Sequence, residues 1–233
     1  MAYRSYALIY EDAHLLIVTK PAGLLVNMAE KREQTLEDQV RATTSNSEEY
    51  DACPPTTIHR LDRYTSGLVI FGRTKRALSE MGKQVAAGAI KKTYWLLVSG
   101  LDGPKEGTVD VPIKKVKKEL RRAEVSDEEV AQQAVTHFKA IEELGDYSLV
   151  EAIIETGRTH QLRVHFEYIG APIGGDGIYG RRKMNGRLNH IGLKRQFIHA
   201  RELEFKHPIT GEQVKKSAKL PKDLSRILKE LRK

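Results

Sequence analysis

The stretch IHRLDRYTSGLVIF, residues 58 to 71, joins a polar, charge-dense segment to an unbroken apolar run. GLVIFGRT (67 to 74) reads as a strand. The residues ahead of it set one carboxylate, Asp62, between Arg60 and Arg63, with His59 close by. Such a carboxylate is either part of a solvated surface knot or a group held ionised for chemistry by neighbouring cations.

Working outward, TKRALSEMGKQVAAG (74 to 88) predicts a helix with Thr74 as N-cap, Leu78, Met81 and Val85 at helical spacing, and Gly88 as the stop. Upstream, YALIYEDAHLLIVTKPAGLLV shows two apolar runs separated by EDAH, a strand pair that Pro21-Ala-Gly23 brings to an end. Thr35 to Asp38 resembles a capping box opening a short helix, and Thr43 to Pro55 reads as a polar loop. Downstream, KKTYWLLVSG is a strand with Tyr94, Leu96 and Val98 on one face and Trp95 and Leu97 on the other. Residues 113 to 133 read as a mobile loop or a short hairpin. AVTHFKAIEEL and YSLVEAIIET predict an antiparallel pair turning at Gly145-Asp146.

Thr159 is the predicted cap of a helix over HQLRVHFEYIG, with Leu162, Phe166 and Ile169 as its buried stripe and Gly170 as its end. The glycines of GGDGIYG (174 to 180) imply a tight turn or a close approach of backbone to ligand. FIHARELEF is then a strand, and PKDLSRILKELRK is a basic final helix. Without repeats or an interdomain linker, the expectation is one α+β domain over residues 1 to 233, built on a mainly antiparallel mixed sheet with flanking helices.

The composition narrows the function classes. At 233 residues and 40% apolar content the chain can bury a substantial core. No apolar run reaches the length of a membrane span and no secretory signal pattern opens the chain, so a cytoplasmic location is expected. The single cysteine, Cys53, excludes an internal disulfide and a multi-thiolate metal site, and reads as an incidental loop residue. The net charge of +8 is unevenly placed: residues 181 to 233 carry 16 Lys and Arg against 5 Asp and Glu. RRKMNGRLNHIGLKRQFIHAR holds seven bases and no acid, and KKVKKELRR (114 to 122) holds six bases and one acid. Polyanion binding is one reading of these clusters and a solvated face is the other.

Three blocks carry a family likeness: HRLDRYTSG (59 to 67), KKTYWLLVSG (91 to 100) and ETGRTHQLRVH (155 to 165). Together they resemble the pseudouridine synthases of the RluA type, whose HRLD-x-x-TSG motif holds the catalytic aspartate. YEDAHLLIVTKPAGLLV, GGDGIYG and FIHARELEFKHPITGE extend the likeness over nearly the whole chain in the family's order. The resemblance implies the pseudouridine synthase fold and an RNA uridine isomerase acting on ribosomal or transfer RNA, as a monomer and without cofactor or metal. It makes Asp62 the essential carboxylate, Tyr94 the ring that packs on the target base, and Arg163 the ion-pair partner of Asp62. Arg60 matches an arginine that enters the RNA stack as the target nucleotide flips out.

Around these, Arg63, His59, Arg158, His160, Arg181, Arg182 and Lys183 are the candidate RNA contacts. No RNA-binding appendage precedes the first block, so the catalytic domain is expected to grip RNA itself. A catalytically silent RNA-binding module on the same fold and a nucleoside N-glycosidase are the competing classes. Metal is not expected, because His160 and His165 do not share a helix face and no acids or thiolates cluster with them. Ser66 lacks the G-x-S-x-G setting of a hydrolase.

Overall fold

The computed structural model describes residues 4 to 27, 33 to 116 and 123 to 233, and the chain divides into two compact units. The first comprises residues 1 to 91 and 200 to 219, the second residues 92 to 199 and 220 to 233. Every strand pairing whose register is defined is antiparallel, and helices flank the strands, giving the α+β class.

In the first unit β1 (Ala7–Glu11) and β2 (Leu15–Lys20) form the anticipated hairpin. Asp12 makes the turn, accepting the His14 and Leu15 amides at 2.7 Å each. β2 pairs with β4 (Ser66–Thr74), all nine residues of which are buried. β11 (Ile198–Lys206) neighbours β4 and carries β12 (Gln213–Ser217) on the other side of the turn HPITGE. Helix α1 (Leu36–Thr43) opens on a complete capping box between Thr35 and Asp38, and α2 (Lys75–Ala86) is capped by the Thr74 hydroxyl. Leu15, Ile17, Leu68, Ile70, Ala77, Met81 and Phe205 form the core. Val85, given to the apolar stripe of α2, is exposed instead, and Ala77 and Met81 are the residues α2 buries. The segment read as a loop contains β3 (Ala52–Thr57), paired with β4, and Cys53 lies on it. A short strand offering few amides to a partner accommodates Pro54 and Pro55.

In the second unit β5 (Lys91–Ser99), β10 (Tyr147–Ile154), β9 (Val135–Leu144) and β6 (Glu106–Asp110) lie side by side in that order. β9 and β10 turn at Gly145, whose φ of 65° a glycine adopts without strain. Residues 113 to 133 contain the hairpin β7 (Ile113–Lys115) and β8 (Ala123–Val125), while residues 117 to 122 of the KKVKKELRR cluster fall outside the described residues. α3 (Gln161–Tyr168), α4 (Arg182–His190) and α5 (Lys222–Leu231) complete the unit. Leu97, Leu149, Leu188, Leu193, Phe197, Leu224 and Leu228 pack as one core cluster. The short β6 and the polar α4 escaped the sequence reading because neither has a strong apolar period.

Helix α3 differs from its expected form. Its N-cap is His160, in the left-handed region at φ 55°, and not Thr159. The cause is Gln161, whose side chain accepts from the Arg158 amide (3.0 Å) and the Thr156 hydroxyl (2.7 Å) and donates to Val135 O (2.9 Å). These bonds fold residues 156 to 161 onto β9, and no side chain caps the helix that follows. α3 also buries Gln161 through Phe166 without a break, whereas Ile169 is only half-buried.

Candidate functional site

Asp62 sits in the loop between β3 and β4, half-buried, with its carbonyl accepting the Thr65 amide at 3.0 Å. That turn is fastened from below. Lys20, 1% exposed, donates from Nζ to Leu24 O (2.8 Å), Arg63 O (2.9 Å) and Pro21 O (3.0 Å), and Gly23 N reaches Arg63 O at 2.8 Å. The KPAG segment is therefore a clamp on the aspartate's turn, with three carbonyl dipoles satisfying the buried ammonium. At the far side Gly67 has φ 120°, and a Cβ there would stand 2.2 Å from Ala200 O. Only glycine lets β4 begin this close to β11.

The other members of HRLDRYTSG divide. Arg60 is exposed and has no ion-pair partner among the described residues, as a residue reaching for RNA requires. Arg63 is half-buried and bonded to Glu33, so a phosphate there competes with a carboxylate. His59 turns its Nε2 to the Ile70 amide at 3.2 Å, which commits that nitrogen to holding the loop against β4.

In the second unit Tyr94 is 5% exposed on β5, opposite Ala152 of β10. Arg163, also 5% exposed, projects from the first turn of α3. Its Nε and Nη2 make a two-pronged contact with Asp176 Oδ2 (2.7 Å) and Oδ1 (2.9 Å), and Asp176 is fully buried. Burial by itself would raise the Asp176 pKa. The bonds and charge of Arg163, with the Ile178 and Tyr179 amides, outweigh it and hold the carboxyl below its ordinary value. The Tyr179 ring lies under the guanidinium, 4.8 Å from Cζ, and its hydroxyl donates to Ala123 O at 3.1 Å while contacting His160 Nδ1 at 3.0 Å.

Arg163 is thus oriented by one acid, one aromatic face and the helix it stands on. Asp176 and Tyr179 were missed by sequence reasoning, which took GGDGIYG for its glycines. A lone acid in that glycine-rich loop was the available signal. Tyr179 also fastens the β7–β8 hairpin through both its bonds to Ala123.

The remaining candidates are spread over the second unit. Arg158 donates to Gln133 O at 2.9 Å. Arg181 sits at the N-cap of α4 and donates to Gly170 O at 2.6 Å. With Lys183, Arg187, Lys105 and Asp146 it lines a cavity of about 450 Å³. Arg182 and Lys183 are exposed and unpaired among the described residues. Lys114, from the second basic cluster, is tied to Glu124 (3.5 Å) and Glu128, which lowers its availability to phosphate. His165 is fully buried between Thr136 and Val111 O, and burial pushes its pKa below that of a free histidine, the state of a neutral structural imidazole. Among the described residues no three His, Cys, Asp or Glu side chains are grouped to hold a metal ion, and no helix is long and apolar enough to cross a membrane.

Residues 14–168 match the family model described as RNA pseudouridylate synthase. A Bacillus subtilis protein named uncharacterized RNA pseudouridine synthase YlyB is 38% identical over 226 residues, covering 96% of this chain and 72% of its own. The ribosomal large subunit pseudouridine synthase D of Xanthomonas campestris is 36% identical over 235 residues, covering 96% of this chain and 69% of its own. Among solved structures, human RNA pseudouridylate synthase domain containing 4 superimposes with a TM-score of 0.78 at 25% identity, covering 97% of this chain and 93% of that one. On the extent of these matches, and with the HRLDRYTSG motif inside the matched region, the chain belongs to the RNA pseudouridylate synthase family, in its RluA-type branch.

Proposed function

We propose that this pseudouridine synthase isomerises uridines of large-subunit ribosomal RNA, with Asp62 as the essential carboxylate. The observation that carries the residue assignment is the construction around Asp62 and Arg163. Each stands on a segment immobilised by a buried charged group, Lys20 under one and Asp176 beside the other. Segments held this firmly suit the positional demands of a catalytic constellation. The ribosomal target is proposed from the names of the relatives that are called ribosomal large subunit pseudouridine synthase D.

The reaction breaks the bond from ribose C1′ to uracil N1, turns the base, joins C1′ to C5 and takes the proton from C5 while N1 gains one, so that the product is an isomer of the substrate. A carboxylate close to the ribose stabilises the positive charge that develops as the glycosidic bond breaks. Asp62 takes that role, and Arg163 serves as its counter-ion, as the family likeness implies. Tyr94 packs its ring on the base and brings its hydroxyl to the carbon that loses a proton. Arg60, exposed and unpaired by protein acids among the described residues, fills the stack left by the flipped nucleotide. The protein is further proposed to act in the cytoplasm as a monomer, with RNA as its partner.

The test is Asp62→Asn, which preserves shape and removes the charge. Pseudouridine mapping at single-nucleotide resolution, in ribosomal RNA from cells lacking the gene and complemented with either form, should show at least a 10³-fold loss of rate for the variant with the fold intact, in keeping with general acid–base contributions of roughly 10² to 10⁴. Variant activity within tenfold of wild type refutes the role of Asp62. A pseudouridine lost only from transfer RNA refutes the ribosomal target.

A further inference from the structure

Lys92 lies on β5 two residues before Tyr94 and is 7% exposed, yet no acceptor among the described residues bonds to its ammonium and no carboxylate pairs with it. Burial accordingly holds its pKa below that of an ordinary lysine. Water still reaches the ammonium at its edge, but a charge with most of its surroundings apolar or backbone and no protein partner among the described residues costs stability.

Side chains alternate along a strand, so Lys92 and Tyr94 share one face of β5, roughly 6.6 Å apart along the chain. That separation is on the scale of one nucleotide. The ammonium points toward Gly157, in the loop that also carries Arg158 and His160 ahead of α3. A Cβ on Gly157 would lie 4.0 Å from Lys92 Nζ. The backbone of Gly157 is not in the left-handed region, so its conformation does not demand glycine. The missing side chain instead leaves an exposed stretch of backbone, and no methyl group, against the charge.

We infer that Lys92 is a substrate-binding residue that takes up a backbone phosphate next to the uridine packed on Tyr94. Phosphate is the group of RNA that carries a full negative charge, and a compact ammonium is suited to meet it as a point charge. A uracil carbonyl offers only a dipole, which offsets the desolvation less well. The inference rests on the reading of Tyr94 as the residue under the target base. It adds to that reading a charge contact which tightens when RNA excludes water from the site.

The experiment uses Lys92→Met, of similar shape and no charge, and a hairpin taken from large-subunit ribosomal RNA around the mapped uridine. Single methylphosphonate linkages replace each phosphate near that uridine in turn, removing one negative charge at a time. Wild-type turnover on the unmodified hairpin tests the isomerase reading by itself. Thermal melting of the free proteins, hairpin binding and the variant-to-wild-type ratio of kcat/KM test Lys92. The expected results are a variant melting temperature equal to or above wild type and a loss of roughly 10- to 100-fold in kcat/KM. One methylphosphonate should cost the wild type a similar factor and the variant almost nothing, the non-additivity of two partners in one interaction. A variant that melts below wild type, that binds and turns over the hairpin normally, or whose losses multiply with those of every linkage overturns the inference.

Discussion

Among the described residues two lysines are buried, and they are buried differently. Lys20 ends in a cage of three backbone carbonyls beneath the Asp62 turn, whereas Lys92, beside Tyr94, makes no hydrogen bond among the described residues. The first has exchanged water for protein dipoles that point at it in the folded state, so its charge holds two loops together. The second keeps only an edge toward water and has made no such exchange. The satisfied cation fastens the architecture, and the other is the one we assign to the substrate.

The severest challenge to this contrast is Lys20→Met. It leaves three carbonyls without their donor and unfastens the turn, so a loss of roughly 3 to 5 kcal/mol is expected, a fall of about 10 °C in melting temperature. A variant that melts within about 2 °C of wild type would show the cage to be incidental. For Lys92→Met the same measurement should move in the opposite direction. Because the folded-state pKa of Lys92 is lowered, the penalty in the wild type is greatest at pH below that pKa and is relieved as pH rises toward 10.5, where the unfolded lysine also loses its proton. The stability advantage of the methionine variant should therefore shrink in alkaline solution.

Asp176→Asn probes a charge that is buried and paired. Roughly 3 kcal/mol of stability should be lost at neutral pH, since the variant removes the buried carboxylate that Arg163 meets with two nitrogens. The folded-state pKa of Asp176 is lowered, so the wild-type advantage is fully present above about 3.8 and is lost as pH falls through the lowered value. Acid and chemical denaturation curves that run parallel for the two proteins down to about pH 2 would rule out this linkage. Activity should fall as well, because Arg163 loses the bonds that aim it.

The smallest effect on stability is expected from the exposed cations. Neutralising Arg182 and Lys183 should leave the melting temperature unchanged and lower the slope of log affinity for RNA against log salt by roughly 0.7 to 0.9 for each phosphate that one of these side chains neutralises in the wild type. Adding Arg181 should change the slope less, as its guanidinium is already bonded to Gly170 O. An unchanged slope in the triple variant would move the RNA path off this surface.

Much of the fold was legible because its devices are local. The turn at Asp12, the capping box at Thr35, the cap at Thr74 and the reversal at Gly145 each depend on residues within a few positions of one another, and all lie where the pattern put them. The motif around Asp62 was legible for the same reason, as a contiguous run of residues. The misreadings involve distant partners. Thr159 was the natural cap of α3 by residue type, but Gln161 reached β9 and moved the cap to His160. Val85 kept the helical period yet remained exposed, and the prolines of β3 were outweighed by a pairing with β4.

The order of most elements, the α+β class, the family and the carboxylate proposed for the chemistry could all be read from residue order, since each is written in short-range pattern or in a contiguous motif. Which charges are satisfied could not be read that way. That Asp176 takes one edge of Arg163 across 13 residues of chain, that Lys20 reaches across 43 to Arg63 O, and that Lys92 reaches no acceptor among the described residues are outcomes of how strands and loops are brought together. Hydrogen bonds and desolvation act through space, and spacing along the chain does not record them.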